Sequence, residues 1–395
     1  MSNQSIQMLT DQHVAQTYAR FPIALVRGEG VRVWDADGKM YLDFVGGIAV
    51  NSLGHCHPAL VRAIEEQAKT LVHVSNLYYI QEQAQLAEAL CTHSFADRAF
   101  FCNSGAEANE AAIKLARRYG LEQLGGKYEI ITALNSFHGR TLATLTATGQ
   151  EKIRLGYDPL PAGFQHVPFN DLDAMADAVG EETAAVLIEP IQGEGGIVVP
   201  SVDYLRGLRQ LCDDRNLLLI FDEVQVGMGR TGKLFAYEHF GVEPDVMTLA
   251  KALGAGVPLG AMLAREDVAK SFAAGSHAST FGGNPLVCRA ALAVLDTIHQ
   301  DGLLANCVAR GEQLRSGLQK LVDRFDFLRE VRGKGLIVGV EADRDCLPMV
   351  RACMAEGLLA VIAGPNVLRL VPPLTVESGE IDEALGILER VMQHV

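Results

Sequence analysis

Short apolar segments alternate with stretches of helical spacing from about residue 97 to residue 270. The segments are AFFCN (99–103), EIITAL (129–134), AAVLIEP (184–190), LLLIFDE (217–223), DVMTLA (245–250) and GAMLA (260–264). Continuous apolar strands separated by helices are typical of a mostly parallel sheet that is covered on both faces. We therefore predict an α/β fold with this mostly parallel, mixed sheet at its centre.

The sequence on either side of this region predicts smaller units. Residues 31–46 alternate apolar and polar side chains around an Asp-Gly turn, which indicates a β-hairpin. Residues 58–71 and 80–93 have helical spacing, 285–323 has the pattern of two long helices, and 326–395 indicates strand, helix, strand, helix. The hairpin has no core of its own, so we expect it to dock on the C-terminal unit or on a second subunit.

These patterns divide the chain into three parts. We predict an N-terminal arm and hairpin that packs with the small domain (1–50), a large domain (51–284) and a small α/β C-terminal domain (285–395). A length of 395 residues fits more than one structural unit, and 49% hydrophobic with 21% charged residues is an ordinary globular balance.

Charge and cysteine content exclude several classes of function. A net charge of −14 without a basic cluster argues against nucleic-acid binding. The N-terminus has no apolar signal region, and no apolar run approaches the length of a membrane span. The eight cysteines contain no C-x-x-C pair, so neither a zinc ribbon nor a disulfide framework is expected. Reduced thiols of this kind are typical of a cytoplasmic protein.

Lys251 ends the predicted strand 245–251. Burying a lysine is costly unless its charge is paired or removed, so a lysine there is a candidate nucleophile that forms a Schiff base. Asp222 and Glu223 end the most hydrophobic strand, and Gln225 follows as a hydrogen-bond donor. An aldehyde cofactor with a ring nitrogen needs both an amine and a carboxylate. The pattern therefore points to pyridoxal phosphate.

Three loops could complete such a site. The run 99–117 predicts a strand, a Ser-Gly turn at Ser104 and Gly105, and a helix start whose free N–H groups could bind a phosphate. In NSFHGRT, Phe137 could stack on a flat ring and Arg140 could bind a carboxylate. Thr280 in STFGGNP offers a hydroxyl group. Taken alone, each motif has an ordinary structural explanation: a helix cap at Ser104, a core phenylalanine and a surface arginine in NSFHGRT, and a turn in STFGGNP. The prediction therefore depends on the occurrence of all of them in this order along the chain.

Two further motifs are interpreted as structural. GMGRTG (227–232) matches G-x-G-x-x-G, but four residues separate it from the preceding strand and the segment after it is short, so we reject dinucleotide binding. GHCHP (54–58) offers two imidazoles and a thiol, but no second cluster completes a coordination sphere. We expect a turn and a helix start with hydrogen-bonded imidazoles, and no metal site.

Over essentially its whole length the chain resembles the class III (ω-amine) aminotransferases of PLP fold type I. The runs that carry the resemblance are WDADGKMYLDFVGGIAVNSLGHCHP, FFCNSGAEANEAAIKLAR, FHGRTLATLTATGQ, IEPIQGEGG, FDEVQVGMGRTGKLFAYEHFGVEPD, LAKALGAGVPLGA and STFGGNP. Two positions depart from the usual pattern: Ala278 replaces a usual glycine, and Val226 stands where threonine is common. Neither departure removes a chemical group that the reaction needs.

The resemblance implies a role for individual residues in holding pyridoxal phosphate. Lys251 matches the Schiff-base lysine, Asp222 the acid paired with the pyridine nitrogen, and Gln225 the donor to the ring oxygen. Phe137 matches the aromatic residue on the ring face. Thr280 matches a residue that reaches the phosphate bound by the neighbouring subunit, which implies a homodimer with shared active sites. The other residues expected to contact the cofactor are Ser104, Gly105 and Ala106 in the phosphate loop, together with Glu223 and Val224.

The resemblance also implies the substrate contacts. Arg140 and Ser279 match residues that bind the amine substrate. Glu194 matches the family's switch glutamate, which pairs with Arg369 and neutralises its charge while the amine reacts. Tyr18 is expected to contact the α side of the substrate.

The implied reaction moves a terminal amino group to 2-oxoglutarate in two half-reactions. FHGRT and STFGGNP favour acetylornithine as the amine, while ornithine, succinylornithine and 4-aminobutyrate remain alternatives. A noncatalytic binding module of the same fold would be expected to lack the lysine or the acid, and both are present.

Overall fold

The N-terminal segment forms a helix and a three-stranded antiparallel ribbon. In the computed structural model, which describes residues 1–395, α1 (Asn3–His13) precedes β1 (Leu25–Glu29), β2 (Arg32–Asp35) and β3 (Met40–Asp43). Strands β2 and β3 pair antiparallel, which confirms the predicted hairpin. Gly38 in the turn has φ +90°, a backbone conformation that glycine adopts without steric cost.

Three helices lead from the hairpin to the central sheet: α2 (Gly46–Ala49), α3 (Pro58–Thr70) and α4 (Gln81–Thr92). Pro58 occupies the first turn of α3, where the missing N–H of proline costs no hydrogen bond. The predicted helices over 58–71 and 80–93 are therefore confirmed.

The central part of the chain alternates strands and helices. Its strands are β4 (Arg98–Cys102), β5 (Glu129–Ala133), β6 (Phe164–Val167), β7 (Thr183–Ile188), β8 (Leu218–Asp222), β9 (Val246–Leu249) and β10 (Gly260–Ala264). Its helices are α5 (Gly105–Gln123), α6 (Leu142–Ala147), α7 (Glu151–Arg154), α8 (Leu172–Ala178), α9 (Val202–Arg215) and α10 (Glu266–Ala269), with 3-10 turns at Ala236–His239 and Lys251–Leu253.

These strands form one seven-stranded sheet in the order β4-β10-β9-β8-β7-β5-β6. Strand β10 runs antiparallel to its two neighbours and the other pairs are parallel, which confirms a mostly parallel mixed sheet. Every residue of β7, β8, β9 and β10 is buried, which explains their unbroken apolar sequences. The sequence prediction missed β6, because its residues FQHV contain two polar side chains.

The C-terminal part forms a second, antiparallel sheet. Helices α11 (Pro285–Gln300) and α12 (Leu303–Val322) are followed by β11 (Leu328–Lys334), β12 (Ile337–Ala342), α13 (Leu347–Ala355), β13 (Leu358–Leu359), β14 (Val361–Ile362), β15 (Val367–Leu370) and α14 (Ser378–Met392). The sheet order is β11-β12-β15-β14. The predicted helix pair is confirmed. The expectation of strand, helix, strand, helix was too simple, since β11 and β12 form a hairpin and three short strands follow α13.

The N-terminal ribbon docks on the C-terminal part, one of the two expected places. Strand β3 pairs in parallel with β13, and Nζ of Lys39 donates to the carbonyl of Ala355 at 2.6 Å. The largest buried apolar cluster has 78 residues and includes Leu42, Ile188 and Leu368, one from each part of the chain. No break in this core marks the boundaries at 50 and 284, so the division into domains stays a prediction.

The cysteines and the lengths of the helices can be compared with the sequence-based expectations. All eight cysteines are free, and six of them are buried. No helix combines the length and the apolar character required to cross a membrane.

Candidate active site

A cavity of about 370 Å³ opens where β4, β7, β8 and β9 end. All four strands end at the same edge of the sheet, the edge at which open parallel sheets bind ligands. Nine residues predicted from the sequence line this cavity: Ser104, Gly105, Ala106, Phe137, Arg140, Asp222, Val224, Gln225 and Lys251.

Lys251 lies just beyond the strand rather than in it. Strand β9 ends at Leu249, and Lys251 begins a 3-10 turn with φ +43°. This corrects the expected strand end at 251. A left-handed backbone at a residue other than glycine costs about 1–3 kcal/mol, and such positions cluster at functional sites. The turn directs the lysine to the cavity wall instead of into the apolar sheet.

The environment of Lys251 makes its amine easier to deprotonate. Desolvation lowers the pKa of the Lys251 amine below its ordinary value, although the carboxylate of Glu194 acts in the opposite direction. A lysine that loses its proton more readily is a better nucleophile and general base.

Asp222 is held at the end of β8 by three hydrogen bonds. Its Oδ2 accepts from Nδ2 of Asn109 at 2.7 Å and lies 2.8 Å from Nδ1 of His138, and its Oδ1 accepts from the backbone N–H of Val224 at 3.0 Å. The hydroxyl of Thr248 in turn donates to Oδ1 of Asn109 at 2.7 Å. All of these side chains are buried, so the carboxylate has a fixed position on the cavity wall.

Ser104 and the two residues after it form the start of α5. The hydroxyl of Ser104 caps the helix by accepting from the N–H of Glu107 at 3.2 Å. The first i→i−4 bond is made by the N–H of Ala108, so the N–H groups of Gly105 and Ala106 are left for an anion. A Cβ atom at position 105 would lie 2.7 Å from Cγ1 of Val224, so a larger residue there would have to displace the Val224 side chain. The helix cap and the anion loop are therefore the same structure.

Phe137 and Arg140 lie together on one wall of the cavity. The guanidinium carbon of Arg140 is 5.4 Å from the centroid of the Phe137 ring, within the range of a cation–π interaction. Phe137 is half-buried and Arg140 is exposed. Phe137 is thus not a core residue, and the Arg140 guanidinium is open to a carboxylate from solution.

Glu194 and Arg369 form an ion pair beside the cavity. Nη1 and Nη2 of Arg369 donate to the two carboxylate oxygens of Glu194 at 2.6 and 3.2 Å, a bidentate geometry. Burial acts to raise the pKa of Glu194, but the charge and hydrogen bonds of Arg369 hold it below its ordinary value. Gln225 joins the pair to the cavity, since it accepts from Arg369 at 2.9 Å and donates to Glu194 at 3.2 Å.

Besides Glu194 and Arg369, which lie beside the cavity, four predicted residues do not line it within this chain. Both carboxylate oxygens of Glu223 accept backbone N–H groups, from Ala236 and Tyr237, and burial raises its pKa to about 8. This corrects the expectation for the Glu223 side chain, which supports a neighbouring turn instead. The other three are Ser279, bonded to Asn103 at 3.2 Å, the exposed Thr280, and Tyr18, which is 73% exposed beside Arg20.

Three residues of the site were missed from the sequence. Asn109 and His138 hold Asp222, and Glu189 lines the cavity after β7. The carboxylate of Glu189 accepts the N–H groups of Phe137 and Gly193, each at 3.2 Å, and burial raises its pKa to about 7. The only sequence signals were the adjacency of His138 to Phe137 and the position of Glu189 at a strand end.

The two motifs interpreted as structural lie outside the cavity. In GHCHP, His55 lies 2.7 Å from the carboxylate of Asp43, and α3 begins at Pro58. Nδ1 of His57 is buried without a partner, so the expectation of two hydrogen-bonded imidazoles was wrong for one of them. In GMGRTG, the buried Arg230 donates to the carbonyls of Leu336 and Pro372, so this motif contacts the C-terminal sheet. No cluster of three metal-ligating side chains is present.

The cavity residues fit the pyridoxal phosphate that the sequence implies. Free N–H groups at a helix start suit the phosphate, a half-buried aromatic side chain suits the ring, and a fixed carboxylate suits the ring nitrogen. The amine of Lys251 suits the aldehyde.

Comparison with known proteins agrees with this geometry. Residues 13–392 match the family described as Aminotransferase class-III. The chain belongs to this family.

Among its relatives, the chain is 55% identical over 386 residues to the acetylornithine aminotransferase of Caldanaerobacter subterraneus subsp. tengcongensis, covering 97% of this chain and 98% of that protein. It is 57% identical over 390 residues to the acetylornithine aminotransferase of Gloeobacter violaceus, covering 98% and 97% of the two chains.

Solved structures of two kinds of aminotransferase are similar to the whole chain. The ornithine aminotransferase of Toxoplasma gondii, whose structure has partial occupancy of PLP at the active site, has a TM-score of 0.97 at 33% identity, with 100% of this chain and 95% of that chain covered. The acetylornithine aminotransferase of Elizabethkingia anophelis has a TM-score of 0.89 at 34% identity, with both chains covered completely. The fold therefore does not by itself choose between these amines.

Proposed function

We propose that this protein is a pyridoxal-phosphate-dependent aminotransferase that transfers the terminal amino group of N2-acetyl-L-ornithine to 2-oxoglutarate. The products are N-acetyl-L-glutamate 5-semialdehyde and L-glutamate, and the reaction belongs to arginine biosynthesis. The observation that carries the proposal is the placement of Lys251 and Asp222 on one cavity, beside the Glu194–Arg369 pair. Identities of 55% and 57% to acetylornithine aminotransferases favour this amine over ornithine, succinylornithine and 4-aminobutyrate.

Bound pyridoxal phosphate would supply a ring that accepts electrons from the substrate carbon. Asp222 keeps the ring nitrogen protonated, and Asn109 and His138 hold Asp222 in place for this task. The N–H groups of Gly105 and Ala106 would hold the phosphate, and the Phe137 ring would hold the cofactor ring by stacking.

Lys251 would hold the cofactor through its Nζ. The same Nζ would take a proton from the substrate carbon and later give up a proton, acting first as base and then as acid. Desolvation lowers the pKa of Lys251, a direction that suits a group acting as a base.

One site must accept first an amine and then a dicarboxylate. Arg140 binds the α-carboxylate of acetylornithine or the distal carboxylate of glutamate. Arg369 binds the other carboxylate of glutamate, and during the amine half-reaction Glu194 covers its charge. A buried arginine without a paired negative charge would cost free energy, which is the physical reason for its pairing with Glu194.

We further propose a cytoplasmic homodimer in which Thr280 reaches the phosphate bound by the partner subunit. Thr280 is exposed and precedes Phe281, whose ring lies 5.4 Å from that of His73. Asn76, which directly precedes Leu77, connects its own segment to the Thr280 loop by donating to the carbonyls of Ser279 and Gly282. The result is an apolar surface that suits a second copy of the chain, with Leu77, Tyr78, Tyr79 and Phe281 exposed by 83%, 69%, 107% and 62%.

A panel of amines with 2-oxoglutarate as acceptor tests the proposed substrate. We expect kcat/KM for acetylornithine to exceed that for ornithine and 4-aminobutyrate by about tenfold or more, as expected when a polar contact is lost. A higher kcat/KM for any of the other amines would replace acetylornithine as the substrate without changing the reaction class.

A further inference from the structure

Glu189 is a buried carboxyl group that links two loops of the active site. It follows β7 directly, and its Oε2 accepts the N–H of Phe137 while its Oε1 accepts the N–H of Gly193. No cationic side chain pairs with it; the charged or titratable groups that influence it are His138, Asp222 and, across the cavity, Lys251. A carboxylate suits this position because each of its oxygens can accept a backbone N–H.

The Gly193 peptide is fixed from three sides. Its N–H is bound by Glu189, and its carbonyl accepts from Nη1 of Arg369 at 3.4 Å. A Cβ atom at position 193 would lie 2.5 Å from the side chain of Gln225, so the backbone packs closely against that residue. Glu194 is the next residue in the chain. The position from which its carboxylate reaches Arg369 therefore depends on the bond between Glu189 and Gly193.

We propose that Glu189 is a positioning residue that holds the 193–194 backbone so that Glu194 covers Arg369 during the amine half-reaction. The proposal depends on the Glu194 switch that forms part of the proposed function. It assigns Glu189 a role in selecting between the two substrates rather than in the proton transfer itself.

Glu189 also contacts or influences two other residues of the site, and effects on the reaction through these residues would have different consequences. Its charge also influences Lys251, and its second oxygen holds the backbone of Phe137. Lys251 and Phe137 serve both half-reactions, so an effect through either of them slows both. Only an effect through Glu194 slows the amine half-reaction selectively.

The variant Glu189→Gln tests the role with little change in volume. Glutamine keeps one acceptor oxygen but presents an amide NH2 where the second oxygen was, so one of the two backbone N–H groups loses its partner. In single-turnover kinetics of the holoenzyme, we expect the rate with acetylornithine alone to fall about tenfold or more. The rate of the pyridoxamine form with 2-oxoglutarate should fall by less than about threefold. Equal losses in both half-reactions would overturn the proposal.

A double variant shows whether Glu189 acts through Glu194. If it does, Glu189→Gln adds no further loss in the amine half-reaction once Glu194→Ala is present. Losses that multiply would overturn the proposal. The single variant Glu194→Ala separates the two hypotheses: if it slows both half-reactions equally, the switch itself is wrong. If it is selective and Glu189→Gln is not, only the role of Glu189 is wrong.

Glu223→Gln is a matched control. Glu223 is likewise buried, likewise accepts two backbone N–H groups, and does not line the cavity. Glu223→Gln should leave the ratio of the two half-reaction rates unchanged. Glu189→Asp, whose side chain is one methylene shorter, is a second variant with the same expected selectivity. If neither Glu189 variant yields folded holoenzyme, the residue is required for folding and the positioning role is rejected.

Discussion

Nδ1 of His138 lies 2.8 Å from Oδ2 of Asp222, and the exposed fractions of the two side chains are only 0% and 3%. The imidazole therefore orients an almost fully buried carboxylate, and Nδ2 of Asn109, in α5, donates to the same oxygen. The residue next to His138 in the chain is Phe137, which lines the cavity. One short loop thus supplies both an aromatic ring on the cavity wall and a support for the acid.

Replacing His138 should weaken the hold on Asp222 without removing the acid. We expect His138→Phe to lower kcat by about tenfold, because the carboxylate loses one of its hydrogen bonds, with a smaller effect on KM. The pH at which the visible absorbance of the holoenzyme changes should also shift, which a purely structural role would not cause. An unchanged absorbance titration together with unchanged kcat would contradict the role assigned to His138.

Asp222→Asn should have a larger effect, since it removes the charge that we propose keeps the ring nitrogen protonated. At about 4 Å and an effective dielectric near 20, that charge contributes roughly 4 kcal/mol, so we expect a loss of about a hundredfold or more in kcat. Steady-state assays with acetylornithine measure this, and Asp222→Glu, which keeps the charge, should retain more activity than Asp222→Asn.

Lys251→Ala should abolish turnover while the fold persists. The variant loses the side chain that we propose moves the proton in both half-reactions, so we expect a fall of about a thousandfold or more. In the unsubstituted protein, borohydride reduction followed by peptide mass spectrometry should find a pyridoxyl group on Lys251. A pyridoxyl group on a different lysine would show that Lys251 is not the residue that binds the cofactor.

Glu194→Ala should impair the amine half-reaction more than the glutamate half-reaction. Without the carboxylate, the Arg369 guanidinium, which is 1% exposed, remains uncovered when acetylornithine occupies the site. Glutamate brings its own carboxylate and is affected less. Rapid mixing of the variant with each substrate alone measures the two rates separately.

The buried acid Glu223 should give the folded protein a pH-dependent stability. Burial raises its pKa from 4.5 to about 8, so between these values the unfolded chain has lost the proton while the folded chain keeps it. The unfolded state then binds fewer protons, and the contribution of this group to the free energy of unfolding falls as pH rises across that window. Thermal denaturation should show Tm of the unsubstituted protein falling more steeply from about pH 5 to about pH 8 than Tm of Glu223→Gln. Parallel curves would contradict the raised pKa.

The main elements of the fold could be predicted because their signals are local. Buried parallel strands are continuous apolar runs, and the turn in the hairpin is marked by Asp-Gly. Local signals failed where polar residues interrupt a strand, as in Phe164–Val167, and where short strands lie close together after α13. The sheet order β4-β10-β9-β8-β7-β5-β6 had no local signal, since it depends on which strands pair.

The sequence by itself determined which residues we propose to carry the chemistry: an amine after one strand, an acid at the end of another, and a Ser-Gly turn that opens a helix. These positions follow from local rules about strand ends and helix caps. Only the tertiary structure decided how the residues are held, because Asn109 and Asp222 are 113 positions apart and Arg369 and Glu194 are 175 apart. Tertiary packing also decided where the Glu223 carboxylate points and how Glu189 links the backbones of Phe137 and Gly193. Hydrogen bonds between distant segments form only after packing brings those segments together, and no periodicity in the chain encodes them.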